Sequence, residues 1–426
     1  MSRPAALFAL LLSLGAAAAA APSLAQPSWT QPEARGEDLH ISLVTFGTGD
    51  PIPAWFGHGA LLVEDRRTLE QRVYNFGMFS FDQQMVLRFL KGRLEFWVGE
   101  DSWPQTLRVY KYFDRDIRLQ ELNLPPDRRL KMARALDWQV QPENRTYLYH
   151  HYDNNCVTRL RDYIDEAIDG QLKAQSAGPA TINLRGHTRR HFFRVPYVDW
   201  VLVMWMNDEI DRPVTEWEEM FLPAVLEQKI DRLSYRDASG AEVPLVKSRR
   251  TLHRAKAHRP LPDAPPTTWP WMLLIGAALA ASGLGHARWW ARRAGRLSRW
   301  LFGLQHLLIG LLAGLPALLM SLMWAFTEHT VTYRNESLFF ASPLTFLLAP
   351  LGLGLALGWR WPLRPLCWAW HALAATSLLG LALGLLPALD QHSAPVVAFF
   401  LPLNLGYAAA WRLFLAPALR AGAARP

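Results

Sequence analysis

HHYDNNCVTRLRDYID, residues 150–165, carries Cys156, one of two cysteines in a chain of 426 residues. From that cysteine onward Val157, Leu160, Ile164, Ala167 and Ile168 share one stripe at helical spacing, and Gly170 is a natural stop. Asp153, Asn154 or Asn155 stands where a cap belongs, which puts Cys156 in the first turn of the helix. Unpaired backbone N–H groups and the helix dipole favour an anion there, so the position predicts a lowered thiol pKa and donors for an oxyanion. A cysteine that only fills a core belongs on the apolar stripe mid-helix.

A thiolate enzyme also needs a base. The stretch WFGHGALLVED, residues 55–65, alternates from 57 to 63 as a strand does, with His58, Ala60 and Leu62 on one face and glycines on either side of the histidine. RVYNFGMF, residues 72–79, reads as a second strand pairing antiparallel with the first, so that Asn75 or Tyr74 orients the imidazole of His58. His150 and His151 lie nearer in sequence to Cys156 and read as strand residues ahead of the helix. Around these, 82–92 predicts a short helix capped by Asp82 and stopped by Gly92. RLEFWV, TLRVYKYF and IRLQELNL follow as strands, and a helix runs from Pro126 to about Gln139. TEWEEMFLPAVLEQKI opens on a capping box, Thr215 with Glu218, and carries an apolar stripe. VDWVLVMWMND, residues 198–208, is apolar almost all round, either a core helix or a lipid-facing patch. Strands and helices in this mixture predict a compact α+β domain.

The compartment follows from the ends of the chain. Arg3, an apolar run and small residues at Ser23 and Ala25 read as a signal peptide, residues 1–25, ahead of an exported domain, 26–259. A proline-rich linker, 260–268, leads to five apolar segments at about 269–284, 301–326, 338–358, 366–386 and 396–416, an all-α membrane domain occupying 269–426. Arg288, Arg292, Arg293, Arg296 and Arg299 follow the first segment, Arg360 and Arg364 the third, and Arg420 and Arg425 the last. The alternate loops hold only Arg334. Basic loops stay in the cytoplasm, so the expectation is a multi-pass inner-membrane protein with its N-terminal domain periplasmic and its C-terminus cytoplasmic. The net charge of +8 reflects those inner-face arginines meeting anionic lipid, and no nucleic-acid motif accompanies it. Cys367 lies at the inner end of its span, across the membrane from Cys156, so the two cannot pair and Cys156 is a single thiol in an oxidising compartment.

WFGHGALLVED, VYNFGMFSFD and ENRTYLYHHYDNNCVTRLRD, in this order ahead of a multi-span tail, resemble the Lnb-type family of bacterial membrane proteins. The resemblance runs from about residue 39 to the C-terminus and is weakest in the apolar tail. Its founding members act in lipoprotein N-acylation, and their periplasmic domain is distantly similar to papain-like thiol enzymes in permuted order, histidine before cysteine, as in lecithin retinol acyltransferases. The resemblance implies a papain-like α+β domain, Cys156 as nucleophile, His58 as base and, on the strand after the histidine, Asn75 as third member, with Tyr74 left open. Tyr74, Asn155 and the outer-loop residues Arg334, Asn335 and Glu336 are the expected substrate contacts. The implied reaction moves an acyl chain from a phospholipid through a thioester to the N-terminal amine of a diacylated lipoprotein. A periplasmic cysteine amidase or lipase, and a non-catalytic lipid- or lipoprotein-binding protein, are the rival readings. No phosphate loop, zinc cluster or dinucleotide fingerprint is present in the sequence, and neither cofactor nor metal is expected.

Overall fold

The computed structural model of the chain describes residues 25–79, 83–257, 260–293 and 295–420. The expected signal peptide lies outside them apart from Ala25, as do Asp82 and Arg425. The chain divides into two compact units, one formed by Met1–Asn183 with Pro213–Leu261, the other by Leu184–Arg212 with Pro262–Pro426.

The first unit is sheet-rich. Strands β1 (Leu39–Phe46), β2 (His58–Asp65) and β3 (Glu70–Met78) are followed by helix α1 (Gln83–Lys91), β4 (Glu95–Ser102), α2 (Trp103–Tyr112), β5 (Ile117–Leu122), α3 (Pro126–Val140), β6 (Thr146–Leu148) and α4 (Cys156–Ala167). The seven-stranded antiparallel sheet has the order β6-β4-β3-β2-β1-β5-β7, with β7 spanning Val246–His253 and arriving late in the chain. Both faces of the central strands are covered, so β2 reads Ala-Leu-Leu-Val without a polar break. Leu61 and Val63 join Leu39, Ile41, Tyr74 and the α4 residues Leu160 and Ile164 in one core cluster. Ala60 and Leu62 join Val44, Phe46, Val73 and Trp103 in the cluster on the other face. Period-two alternation survives, but it sorts residues between two cores rather than between core and water.

Two expected elements differ. TLRVYKYF is not a strand: it lies in α2, which begins at Trp103 with Pro104 in its first turn. Trp103 and Thr106 are buried and Leu107 and Tyr110 pack beside them, a spacing of three and four residues that overrides the apparent alternation. The segment after Thr215 keeps its capping box but makes only one turn, Glu216–Glu219, before a second helix starts at Pro223, whose missing N–H is tolerated at a helix start and not within one.

The second unit is helical. It contains α5 (Leu184–His191) and α6 (Pro196–Trp205), then α7 (Trp269–Arg293), α8 (Arg296–Phe326), α9 (Leu348–Ala356), α10 (Leu363–Leu383) and α11 (Ala394–Arg420). α7, α8, α10 and α11 are long and apolar enough to cross a membrane. The expected third span, 338–358, is instead a bent pair, Thr330–Phe339 and Pro343–Ala356, meeting at 71°. Pro343 cannot extend the preceding turn, and the Ser342 side chain caps the new one at the Leu344 N–H. The described residues thus hold four spans, or five where the bent pair crosses as one. Close approach in this unit uses small residues: a Cβ on Gly303 would lie 2.6 Å from the Gly352 carbonyl, and one on Gly276 would lie 2.3 Å from that of Phe399.

Within the expected exported block, 26–259, residues 184–212 group with the helical unit. The apolar segment 198–208 lies largely in α6 and is a core helix of that unit. Trp200 stands 5.0 Å from the Phe399 ring and 5.8 Å from that of Phe400. Arg185, almost fully buried, donates from Nη2 to the carbonyls of Met206 (2.9 Å) and Asn207 (2.6 Å) and makes a two-oxygen contact with Asp211. Removing one partner of such a pair strands the other charge in the interior. Arg185→Met should therefore destabilise the helical unit by about 3 kcal/mol, seen as a lower thermal midpoint in detergent and as new protease cuts within 192–212. An unchanged midpoint and digestion pattern would show that the ion pair does not hold this segment.

Candidate functional site

β2 starts at His58, directly after Gly57, whose φ of 81° lies in the left-handed region that glycine tolerates best. The register pairs His58 with Phe46 on one side and Ala60 with Asn75 on the other, so His58 and Asn75 share a face of the sheet as diagonal neighbours. His58 Nε2 lies 3.3 Å from Asn75 Oδ1, and Asn75 Nδ2 donates to Asp101 Oδ2 at 3.4 Å. The carboxylate fixes the amide with its oxygen toward the ring. Nε2 then carries the hydrogen, and Nδ1 keeps the lone pair a base requires. Burial raises the Asp101 carboxyl above its ordinary range, opposed by the Asn75 hydrogen bond.

Cys156 opens α4, as its position in the sequence predicts. Asn155 is the cap: its Oδ1 accepts from Val157 N–H at 2.8 Å and Thr158 N–H at 2.9 Å, with Thr158 returning the second half of a capping box. α4 packs on β2 and β3 where their side chains vanish. A Cβ on Gly59 would lie 2.8 Å from Leu160 Cδ1, and one on Gly77, itself at φ 83°, would touch Cys156 Cβ at 3.4 Å. The backbone N–H groups of Gly59, Val157 and Cys156 lie close enough to the sulfur to favour its thiolate, which sets the thiol beside the residue following His58. Among the described residues no hydrogen bond joins the imidazole to the thiol; the imidazole's bond is to Asn75.

The thiol departs from expectation. Burial pushes Cys156 up to about 11, against the N–H groups and the Arg115 charge, which pull it down. His58 is lowered to about 4, by burial first and by Arg115 second, with the Asn75 bond acting the other way. The resting pair is neutral thiol and neutral imidazole. A helix terminus favours an anion, but loss of water around the sulfur outweighs it here.

Three further residues complete the site, and none announced itself in the sequence. The Tyr110 ring stacks on Phe46 at 3.5 Å and lies 6.3 Å from the His58 ring, nearly parallel to it. The Arg115 guanidinium sits 4.9 Å from the Tyr110 centroid, and its Nε donates to the Gly47 carbonyl at 2.8 Å. Asp101 stands behind Asn75. A signal was available only for Tyr110, through the helical spacing Trp103, Leu107, Tyr110 once TLRVYKYF is read as a helix.

The other expected contacts fall elsewhere. Tyr74 is fully buried on the opposite face of β3, in the cluster with Trp29 and Leu61, so it neither orients His58 nor meets substrate. Asn155 is also buried, its amide donating to the His151 and Phe221 carbonyls, and it serves the helix start. His150 pairs with Asp153 at 2.9 Å. Asn335, in the helical unit, donates to the Met204 and Trp205 carbonyls at the end of α6, so it closes a helix rather than facing a head group. Glu336 Oε2 accepts from the Gln391 N–H at 3.3 Å, while Arg334 is exposed. Glu336 also gathers with Asp208 and Asp390, carboxylate oxygens all within 4.8 Å of one another, an all-oxygen set of the kind hard cations take. A hollow of about 500 Å³ in the first unit, lined by charged residues such as Arg128, Lys131 and Glu166, is lined by none of the three candidate residues.

The neutral resting pair has a direct consequence. The thiolate fraction at Cys156 grows about tenfold per pH unit until pH nears 11, so alkylation by iodoacetamide should climb steadily from pH 7 to 10, read by peptide mass spectrometry to separate it from Cys367. A rate already flat by pH 7 would mean a thiolate–imidazolium pair and would contradict this description.

Residues 25–190 match the family model described as the Lnb N-terminal periplasmic domain. No curated protein and no solved structure matches the chain. The three motifs at 55–65, 73–82 and 143–162 all fall inside the matched residues, and the helices that follow are apolar enough to span a bilayer several times. Residues 25–190 are thus similar to the Lnb N-terminal periplasmic domain, and the apolar helices that follow mark a multi-pass membrane protein.

Proposed function

We propose that the protein is a cysteine-dependent acyltransferase that takes an acyl chain from a membrane phospholipid and delivers it to the N-terminal amine of a diacylated lipoprotein. The observation that carries this reading is the His58–Asn75–Asp101 chain beside a thiol in the first turn of a helix. In a papain-like site the same order of groups serves a base, its orienting amide and a nucleophile.

His58 Nδ1 removes the proton from Cys156 as the sulfur attacks the ester carbonyl of the phospholipid. The backbone N–H groups at the start of α4 and at Gly59 are suited to the oxyanion. Collapse breaks the ester C–O bond, and the lysophospholipid alkoxide leaves with the proton from His58. The amine then attacks the thioester, gives its proton to His58 and displaces the Cys156 thiolate, which is reprotonated. An α-amine has a pKa of about 7.7–8.0, so a useful fraction is neutral near pH 7. Neutral thiol and imidazole suit this order, since the proton moves only as the carbonyl arrives.

The arginines that follow α7, precede α10 and end α11 support a cytoplasmic C-terminus, which requires the bent pair to cross as one span. Both substrates are lipids, consistent with so many apolar helices in one chain. The rival of a lipid- or lipoprotein-binding protein without chemistry draws support from the absent imidazole–thiol bond.

Incubation of a diacylated lipoprotein with the purified full chain in phospholipid nanodiscs should add the mass of one acyl chain to the lipoprotein N-terminus. Cys156→Ala should abolish the gain, His58→Ala should cut the rate about 10²–10⁴-fold, and Asn75→Ala should cost less than His58→Ala because the base remains. Retained transfer in Cys156→Ala would refute a thioester route. Release of free fatty acid without lipoprotein modification would make the protein a lipase, and release of stem peptides from peptidoglycan an amidase.

A further inference from the structure

Arg115 is the one charge of the site that the acyl-transfer steps leave unused. It is 8% exposed, it follows α2 on the way into β5, and its Nε is held by the carbonyl of Gly47, next to the Phe46 that pairs with His58. The guanidinium therefore lies at the same end of the sheet as the imidazole, above the Tyr110 ring that stacks over Phe46. Its charge acts on both Cys156 and His58. Among the described residues Nη2 has no hydrogen-bond partner, and no carboxylate forms an ion pair with this arginine. The neighbouring Asp116 bonds instead to Arg118 and to the Ala255 N–H.

A buried guanidinium with an open donor and no counter-charge is costly to hold, and in nearly every buried setting such a group is paired. Structural arginines of this same chain illustrate the rule: Arg185 and Arg72, equally buried, are each matched by carboxylates. Among the described residues no carboxylate neutralises Arg115 and its Nη2 is open, which suits a partner from outside the chain. Resting on the acyl-transfer reading of the site, we propose that Arg115 binds the phosphodiester anion of the lipid donor through Nη2. In a glycerophospholipid the phosphate is carried on the carbon next to the one bearing the sn-2 ester, so a single donor offers its carbonyl to the sulfur and its anion to the guanidinium. Arginine recognises phosphate oxygens with directed hydrogen bonds as well as charge. The bound anion offsets both electrostatic effects of Arg115, its repulsion of a protonated His58 and its attraction for the Cys156 thiolate, so the role assigned to Arg115 is recognition of the donor. Arg115 thus selects the donor.

Protection of Cys156 from iodoacetamide tests this without requiring turnover. The full chain in detergent is treated with dihexanoylphosphatidylglycerol, dihexanoylglycerol or inorganic phosphate, and Cys156 is scored by mass spectrometry as free, alkylated or acylated. Wild type should be protected at least tenfold by the phospholipid and less than twofold by the uncharged diacylglycerol. Arg115→Gln should lose that protection and Arg115→Lys should regain part of it, each variant compared with its own lipid-free rate, and with circular dichroism confirming its fold. Equal protection by the phospholipid and the diacylglycerol, or undiminished protection in a folded Arg115→Gln protein, would overturn the assignment. Inorganic phosphate protecting as well as the lipid would overturn the lipid donor as the source of the anion, leaving a free oxyanion in its place. A protected wild type that never shows an acylated Cys156 would leave the anion site standing and defeat acyl transfer alone.

Discussion

A helix can bring its first residue against the end of a β-sheet only where the strands leave room for it, and the room at this site comes from two missing side chains. Gly59 lets Leu160 of α4 press onto β2, and Gly77 leaves the Cys156 side chain in van der Waals range of β3. The Asn155 cap then fixes the direction of the first turn by accepting from the Val157 and Thr158 N–H groups, with the Gly59, Val157 and Cys156 N–H groups close to the sulfur. Every feature of the candidate site depends on this seating. It sets the thiol next to the strand that carries His58, and it removes water from around the sulfur.

That loss of water has an electrostatic price. A thiol at an exposed helix start is expected to be acidic, yet Cys156 is driven up to about 11 and His58 down to about 4. The two directions have one cause, since burial disfavours the charged form of an acid and of a base alike. Arg115 reinforces the second shift by opposing the imidazolium and works against the first by favouring the thiolate. The only carboxylate in the chain of contacts, Asp101, sits behind Asn75 and touches the imidazole only through it. The site is thus built with its cation close to the reacting atoms and its acid one residue removed, an arrangement that leaves a deficit of negative charge for a ligand to fill.

The helical unit is organised on a different principle. Its helices approach through glycines, and its irregular segments are closed by side chains that reach buried carbonyls: Asn335 to the end of α6, Asn207 to Thr330 and Tyr333, Arg185 to Met206 and Asn207. These polar groups satisfy buried backbone atoms, which is why Asn335, a head-group candidate in the sequence, is engaged at the end of α6. The chain segment Leu184–Arg212 belongs to this unit although it comes before the linker and the spans.

Several features were legible without coordinates because they depend on short-range rules. The helix after Asn155 followed from a cap, a stripe and a stop; the β2–β3 pair followed from alternation around WFGHGALLVED; the apolar segments followed from length and composition. Alternation alone left Asn75 and Tyr74 both open as partners of His58; the register puts Asn75 on the His58 face and sends Tyr74 into the opposite core. The misreading of TLRVYKYF had a physical origin, since a segment buried on one side can satisfy both a two-residue and a three-to-four-residue spacing over so short a length. What the sequence by itself determined was therefore the identity of the nucleophile and base candidates, the Lnb resemblance and the division into a sheet-rich part and a membrane part. Only the tertiary structure decided the protonation of the pair, the place of Arg115 and Asp101 beside it, the bend in the third apolar segment and the membership of 184–212. Those outcomes depend on burial and on contacts between residues far apart along the chain, and no local pattern encodes how much water a fold will exclude.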